Sequence, residues 1–92
     1  MGIKVAKFGG SSVADAAQLR KVEAIIREDP DRRIIVVSAP GRRTADDAKV
    51  TDLLYKCHDC VRAGSLFDSV FQTVANRYSE IVRDLGLPIE SV

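Results

Sequence analysis

The stretch best suited to chemistry is residues 7–12, Lys-Phe-Gly-Gly-Ser-Ser, which lies between a short apolar run and an amphipathic one. Its glycines let a ligand approach the backbone closely, because no Cβ stands in the way. The first N–H groups of the following helix have no partner within that helix, and the positive end of the helix dipole lies behind them. Lys7 adds a mobile positive charge. Together these features indicate an anion site that suits phosphate.

The same six residues also suit a tight strand-to-helix turn that binds nothing. Glycine-rich turns are weak motifs by themselves. The stretch is not a Walker A loop, because no Gly-Lys-Ser/Thr follows at the required distance, and it is not a Gly-x-Gly-x-x-Gly turn. From spacing alone, phosphate binding and a purely structural turn both stay open.

A second polar group follows the second apolar run of the chain. Ser38 begins a Ser-Ala-Pro-Gly segment directly after the β-branched run at 34–37, and Thr51 opens a later helical pattern. Hydroxyl groups and the N–H groups at a helix start suit a carboxylate ligand. The alternative is that Ser38 merely ends a strand and Thr51 merely caps a helix, which is the commonest use of such residues.

The elements that must position these two groups form a β-α-β unit. Residues 3–8 and 33–37 are typical of parallel strands covered on both faces, since they are mostly apolar and β-branched. Residues 13–28 between them have helical spacing, with Ser12 as the predicted N-cap. A right-handed crossover makes the two strands parallel, and ligands of such sheets bind at the carboxyl ends of the strands. Both polar groups lie at that edge.

Two further helices are predicted after a polar loop at residues 42–49, which has no periodicity and suits an exposed, mobile connection. The second helix starts at Thr51 as N-cap and ends at Gly64, and the third is capped by Ser65 and ends at Gly86. Apolar positions run along nearly the whole third helix, more than two strands can cover. We therefore expect an incomplete core and self-association.

Composition and length exclude several classes of protein. With 92 residues the chain is at most one small domain, and its 14 basic and 13 acidic residues give a net charge of +1. That balance gives no reason to expect nucleic acid or an anionic membrane as partner. No apolar run approaches the ~20 residues of a membrane span, and no secretory signal is recognisable. A reducing cytoplasm is the expected compartment.

The Cys-His-Asp-Cys segment at residues 57–60 raises the question of a metal or redox site. A structural zinc site needs four ligands, and the sequence has no further Cys or His. A redox pair favours a helix N-terminus, where the thiol pKa falls, whereas these cysteines lie within a helical pattern. We interpret both as reduced packing cysteines and predict no metal ligands in the chain.

The motif Lys-Phe-Gly-Gly-Ser-Ser-Val at residues 7–13 resembles the opening of the aspartate kinases, in the amino-acid kinase superfamily, which usually read Lys-Phe-Gly-Gly-Thr-Ser-Val. Val-Ser-Ala at 37–39 and Thr-Asp-Leu-Leu at 51–54 are similar to later motifs of the same family. Ser11 replaces the usual Thr and keeps its hydroxyl. The resemblance covers essentially the whole chain.

That resemblance implies an α/β fold, the amino-acid-kinase three-layer sandwich, of which this chain would be the N-terminal β-α-β-α-α portion with parallel strands. Residues 1–92 would be an incomplete N-terminal part of the catalytic domain, without the half that binds the nucleotide base and without regulatory domains. The implied reaction transfers the γ-phosphoryl group of ATP to the side-chain carboxylate of L-aspartate, the first step of lysine, threonine and methionine biosynthesis.

The resemblance also implies roles for single residues. Lys7 would be catalytic, and the ATP phosphates would be held by Lys7, Gly9, Gly10 and Ser11. Ser38 and Thr51 would bind aspartate. ATP and Mg²⁺ are the implied cofactors, although no metal ligands are recognisable in the segment.

Two expectations concern the activity and the association of the chain, and two alternative functions stay open. The 92-residue chain alone is expected to be inactive, and a homo-oligomer or a self-associating fragment is expected. One alternative is a stand-alone phosphate-binding or helical interaction module. The other is an amino-acid kinase with a different acceptor, which Phe8 and the Thr51-Asp52 pair disfavour.

Overall fold

The computed structural model describes residues 2–88, which form two strands, a short 3₁₀ turn and three helices. In chain order these are β1 (Lys4–Phe8), the turn (Gly10–Val13), α1 (Ala16–Glu28), β2 (Arg32–Val37), α2 (Val50–Arg62) and α3 (Asp68–Asp84). The predicted α/β class and its β-α-β-α-α order are confirmed.

The two strands pair in parallel, as predicted. Lys4 lies opposite Arg32, and after an irregularity the register runs from Val5 opposite Ile34 to Phe8 opposite Val37. Pairing continues one step further, because the N–H of Ser38 donates to the carbonyl of Phe8 at 3.1 Å. The carboxyl ends of β1 and β2 therefore lie side by side, and the turns that follow them start from the same edge.

Helix α1 packs on one face of this sheet. The buried residues Phe8, Val13 and Val22 form the core there, joined by the half-buried Ala6, Leu19 and Ile26. Because side chains alternate along a strand, Lys7 lies on the face opposite to that of Ala6 and Phe8.

The prediction that both faces of the strands are covered is wrong for the part of the chain that the structure describes. Val5 is 64% exposed, and on β2 Ile34 and Val37 are 50% and 57% exposed. The reason is that α2 and α3 form a separate core around Val50, Leu53 and Val74, and that core includes no residue of β2. The Cα radius of gyration is accordingly 15.6 Å, against about 12 Å for a compact chain of this length.

Helix α1 begins later than predicted, and Ser12 is not its N-cap. The chain first makes the 3₁₀ turn, in which the N–H of Ser12 donates to the carbonyl of Gly9 at 3.0 Å. Asp15 is the N-cap, and its carboxylate accepts the N–H of Gln18 at 3.0 Å. An Asp side chain satisfies the free N–H groups of a first turn as well as Ser does.

The predicted helix ends are confirmed, since Gly64 and Gly86 follow α2 and α3 at φ values of 72° and 74°. The two other predicted N-caps are wrong. Thr51 is the second residue of α2, because Val50 is fully buried and its N–H donates to the carbonyl of Pro40 at 3.0 Å. Ser65 lies in the turn that follows α2, where its N–H donates to the carbonyl of Cys60 at 2.8 Å, and the N-cap of α3 is Phe67.

Candidate functional site

The carboxyl ends of β1 and β2 open into a groove with a volume of about 490 Å³. Three segments form it, namely the turn after β1, the segment after β2 and the start of α2. Its lining consists of Gly10, Ser11, Ser38, Ala39, Pro40, Gly41, Arg42, Lys49 and Thr51. Four residues singled out in the sequence, from two separate motifs, therefore line one groove: Gly10, Ser11, Ser38 and Thr51.

Lys7 and Gly9, which the sequence also singles out, do not line the groove. Lys7 is exposed on β1, opposite Val36 and on the sheet face away from α1. Gly9 is exposed as well, and a Cβ at its position would meet nothing within 4 Å. The roles of these two residues stay predictions.

The charge of the lining suits an anion. Arg42 and Lys49 are both exposed, and none of the nine lining residues is acidic. Lys49 could not be singled out from the sequence, because a lysine in a polar loop carries no distinguishing signal there. A phosphate or a carboxylate fits such a lining, and a bare metal cation does not.

Two backbones touch at the base of the groove. The N–H of Gly41 donates to the carbonyl of Gly10 at 2.8 Å. A Cβ at Gly41 would lie 2.7 Å from the carbonyl carbon of Gly10 and 2.9 Å from the nitrogen of Ser11. Only glycine permits so close an approach, and the contact fixes the β1 turn against the segment after β2.

A buried arginine on α3 ties these segments together. Arg77 is 3% exposed. Its Nη2 donates to the carbonyls of Gly41 at 2.7 Å and Ala14 at 3.1 Å, and its Nη1 donates to the carbonyl of Ala48 at 2.9 Å. The sequence carried one signal for it, since position 77 falls on the buried stripe of α3 between Val74 and Ile81. Charged residues are almost never fully buried without partners.

The loop between β2 and α2 is held by a network of charges. Arg43 donates to the carboxylate of Asp47 through Nε at 2.7 Å and Nη2 at 3.0 Å, and its Nη1 reaches Glu80 at 3.1 Å. The carboxylate of Asp47 also lies 3.6 Å from Nη1 of Arg77. Hydrogen bonds from Arg43 hold the pKa of Asp47 well below its usual range, and Asp47 in turn raises the pKa of Arg43. The loop expected to be mobile is thus tied to α3.

Asp47→Asn is expected to destabilise the protein by about 1–3 kcal/mol at neutral pH, since it removes a carboxylate bonded to a guanidinium. Folding lowers the pKa of Asp47, so its contribution is present above the ordinary carboxyl range and is lost as the pH falls through the lowered value. The difference in melting temperature from wild type should therefore persist down to about pH 4 and shrink below it.

Asp46→Asn is the matched control for that measurement, because Asp46 is the exposed neighbour of Asp47. Its effect should stay within about 0.5 kcal/mol at every pH. Equal effects of the two substitutions would show that the Arg43–Asp47 pair does not stabilise the loop.

Residues 57–60 contribute nothing to the groove lining. Cys57 and Cys60 are free, half-buried thiols. Across residues 2–88, no three side chains of metal-ligating type come together. None of the described helices has the length and the apolar run needed to cross a bilayer.

Comparison with known proteins identifies aspartokinases among the relatives of the chain. The chain is 47% identical over 85 residues to aspartokinase 3 of Bacillus subtilis, covering 92% of the chain and 19% of that protein. It is 34% identical over 86 residues to a chloroplastic bifunctional aspartokinase/homoserine dehydrogenase 2 of Arabidopsis thaliana, covering 88% of the chain and 8% of that protein. No protein-family model matches the chain.

Comparison of the fold with solved structures also identifies an aspartate kinase. The crystal structure of Clostridium acetobutylicum aspartate kinase superposes with a TM-score of 0.92 at 50% identity, covering 96% of the chain and 20% of that protein. The chain thus spans about a fifth of the length of the aspartokinase 3 and aspartate kinase that it matches. On sequence and fold together, the chain is homologous to a segment of the aspartokinases.

Proposed function

We propose that the chain is the N-terminal part of an aspartokinase catalytic domain, and that the full-length protein carrying it transfers the γ-phosphoryl group of ATP to the side-chain carboxylate of L-aspartate. The observation that supports this most directly is the groove, in which Gly10 and Ser11 face the same space as Ser38 and Thr51. One pair suits a phosphoryl group and the other suits a carboxylate, and phosphoryl transfer requires the two close together.

In the proposed reaction a carboxylate oxygen of aspartate forms a bond to the γ-phosphorus, the bond from that phosphorus to the β,γ-bridging oxygen breaks, and ADP leaves. Two anions must be held together, so positive charge and N–H donors are needed. The turn after β1 supplies N–H groups, and Arg42 and Lys49 supply cations at the rim. Lys7 is proposed to neutralise charge on the phosphoryl oxygens. Its ammonium group is available for this, because no side chain within residues 2–88 is hydrogen-bonded to it.

Mg²⁺ fits these residues poorly. It binds through oxygen ligands, usually carboxylates and phosphates, and the groove lining has no acid. We therefore assign no residue of this chain to the metal. The ATP phosphates fit better, because the lining combines the hydroxyl-bearing Ser11 with the two cations Arg42 and Lys49.

The 92-residue chain alone is proposed to have no turnover, since nothing in its groove lining suits adenine. Self-association is proposed as well, because the β-branched side chains of β2 remain between 37% and 57% exposed. The cytoplasm, where ATP and reduced thiols coexist, is the compartment that this function implies.

Ser38→Ala and Thr51→Val test the proposed acceptor site in the full-length protein. Each removes one hydroxyl from the groove, so each is expected to raise the KM for aspartate about tenfold, the effect of losing roughly one hydrogen bond to a charged group. The KM for ATP should change less. Steady-state kinetics with both substrates varied gives these values.

Thr73→Val is the matched control, because Thr73 is an exposed residue of α3 whose hydroxyl donates to the carbonyl of Ser69. It should leave both KM values unchanged. A full-length protein without aspartate-dependent ADP release would contradict the proposed function, and an unchanged KM for aspartate in both groove variants would contradict the acceptor site.

A helical interaction module is the rival function, and exposed side chains at the start of α3 favour it. Leu66 is 86% exposed, Phe67 is 40% exposed and Phe71 is 52% exposed. Such a module should be insensitive to Lys7→Ala and should lose its partner on Phe71→Asp. A kinase segment should show weaker binding of ATP or phosphate after Lys7→Ala.

A further inference from the structure

We propose that Arg77 is the positioning residue of the acceptor side of the groove: its guanidinium fixes the distance between Ser38 and Thr51. This inference rests on the proposed function for its kinetic consequence, although the geometry behind it does not depend on that function. Arg77 does not line the groove and therefore acts through the backbone of other residues.

One guanidinium holds both ends of the loop between β2 and α2. Its Nη2 binds the carbonyl of Gly41 at 2.7 Å, and its Nη1 binds the carbonyl of Ala48 at 2.9 Å. In sequence, Ser38 comes three residues before Gly41, and Thr51 comes three residues after Ala48. The two residues proposed to bind aspartate therefore flank the two carbonyls that Arg77 holds. The distance between Ser38 and Thr51 then depends on the distance between the two Nη atoms of the guanidinium.

The same side chain also ties in the third wall of the groove. Nη2 donates to the carbonyl of Ala14 at 3.1 Å, just after the 3₁₀ turn that contributes Gly10 and Ser11. A single residue of α3 is therefore hydrogen-bonded to both the phosphate side and the acceptor side of the groove.

The residue type supports a positioning role over simple packing. Arg77 lies on the apolar stripe of α3, where an aliphatic side chain would pack with Val74 and Ile81 without the cost of burying a charge. Arginine presents five N–H donors in a rigid plane, which suits acceptors on several sides. Lysine has three N–H donors, but all three lie on one nitrogen, so they cannot reach acceptors as far apart as those of the guanidinium fork. Asp47, at 3.6 Å, balances part of the charge.

The test uses Arg77→Lys and Arg77→Met in the full-length protein, with Arg83→Lys and Arg83→Met as matched controls. Arg83 is on the same helix, its side chain is 71% exposed and it contacts Asp84. We expect Arg77→Met to raise the KM for aspartate more than tenfold, and Arg77→Lys to restore part of that loss. Neither should change kcat at saturating aspartate by more than about twofold, and the Arg83 variants should match wild type.

A purely structural role predicts a different result. In that case the Arg77 variants would have lower melting temperatures, but the folded enzyme would bind aspartate with an unchanged KM, and the proposal would be wrong. Hydrogen exchange provides a readout independent of activity. Amides of residues 41–48 should exchange faster in Arg77→Lys than in wild type, and equal exchange would also overturn the proposal.

Failure of the proposed function can be recognised separately. If the unaltered full-length protein does not phosphorylate aspartate, the proposed function is wrong, and the exchange measurement still decides whether Arg77 orders the loop. If neither Arg77 variant folds, guanidinium NMR of the unaltered protein decides. The Nη protons of Arg77 should exchange at least tenfold more slowly than those of Arg83 and should shift when aspartate is added; fast exchange or an absent shift would refute the proposal.

Discussion

Gly41→Ala is expected to lower the stability of the protein by about 1–3 kcal/mol, the usual cost of forcing an extra methyl group into a packed site. The added Cβ would lie 2.7 Å from the carbonyl carbon of Gly10 and 2.9 Å from the nitrogen of Ser11. These are backbone atoms, so they cannot rotate away as the end of a flexible side chain would. The hydrogen bond from Gly41 to Gly10, at 2.8 Å, should be lost with the contact. Denaturant unfolding measures the change.

Gly9→Ala is the control for that substitution. Nothing lies within 4 Å of a Cβ at Gly9, and its φ of −73° with ψ of 176° is extended backbone that alanine adopts without strain. Its effect should stay within about 0.5 kcal/mol. If both variants unfold at the same denaturant concentration, the two backbones at the base of the groove are not in tight contact.

Lys7→Ala is expected to reduce turnover of the full-length protein by about 100- to 1000-fold, the usual effect of removing one group that stabilises developing charge. The proposed role of Lys7 is to neutralise charge on the transferred phosphoryl group, so the loss should appear mainly in kcat. Because Lys7 is exposed and β1 does not depend on it for packing, the melting temperature should change little. Steady-state kinetics and a thermal melt together separate the two effects.

Lys4→Ala tests whether the loss of any lysine from β1 lowers turnover as much as the loss of Lys7. Lys4 forms an exposed ion pair with Asp29 at 2.6 Å, near the opposite end of the strand from the groove. Exposed pairs of this kind contribute about 0–1 kcal/mol, so turnover should stay close to wild type. Equal losses of turnover in the two variants would exclude a specific role for Lys7.

The elements of the fold follow from local patterns that the sequence displays directly. The β-branched run of β2 predicts a strand whatever its surroundings, and Gly64 and Gly86 end their helices because glycine adopts positive φ without strain. Helix starts are less predictable, since several residues can satisfy the same N–H groups. At α2 the carbonyl of Pro40 does so, and Pro40 lies near the other end of the loop that leads into the helix.

The candidate site also has some features that the sequence predicts and others that it does not. The sequence predicts that Ser38 and Thr51 lie near each other, because parallel strands end at one edge of the sheet and α2 begins after that edge. The contact between Gly10 and Gly41 could not, since nothing local reveals which two glycines meet. Arg77 lies beyond both motifs in sequence, and its three acceptors are main-chain carbonyls, which no residue pattern marks.

The exposed strands of this chain have a thermodynamic consequence. The denaturant dependence and the heat-capacity change of unfolding both scale with the surface that unfolding exposes. Val5, Ile34 and Val37 are each at least half exposed already in the folded chain. Unfolding of the 92-residue chain by itself should accordingly show a shallow denaturant slope and a flat stability curve, and a protein layer seated on these strands would steepen both.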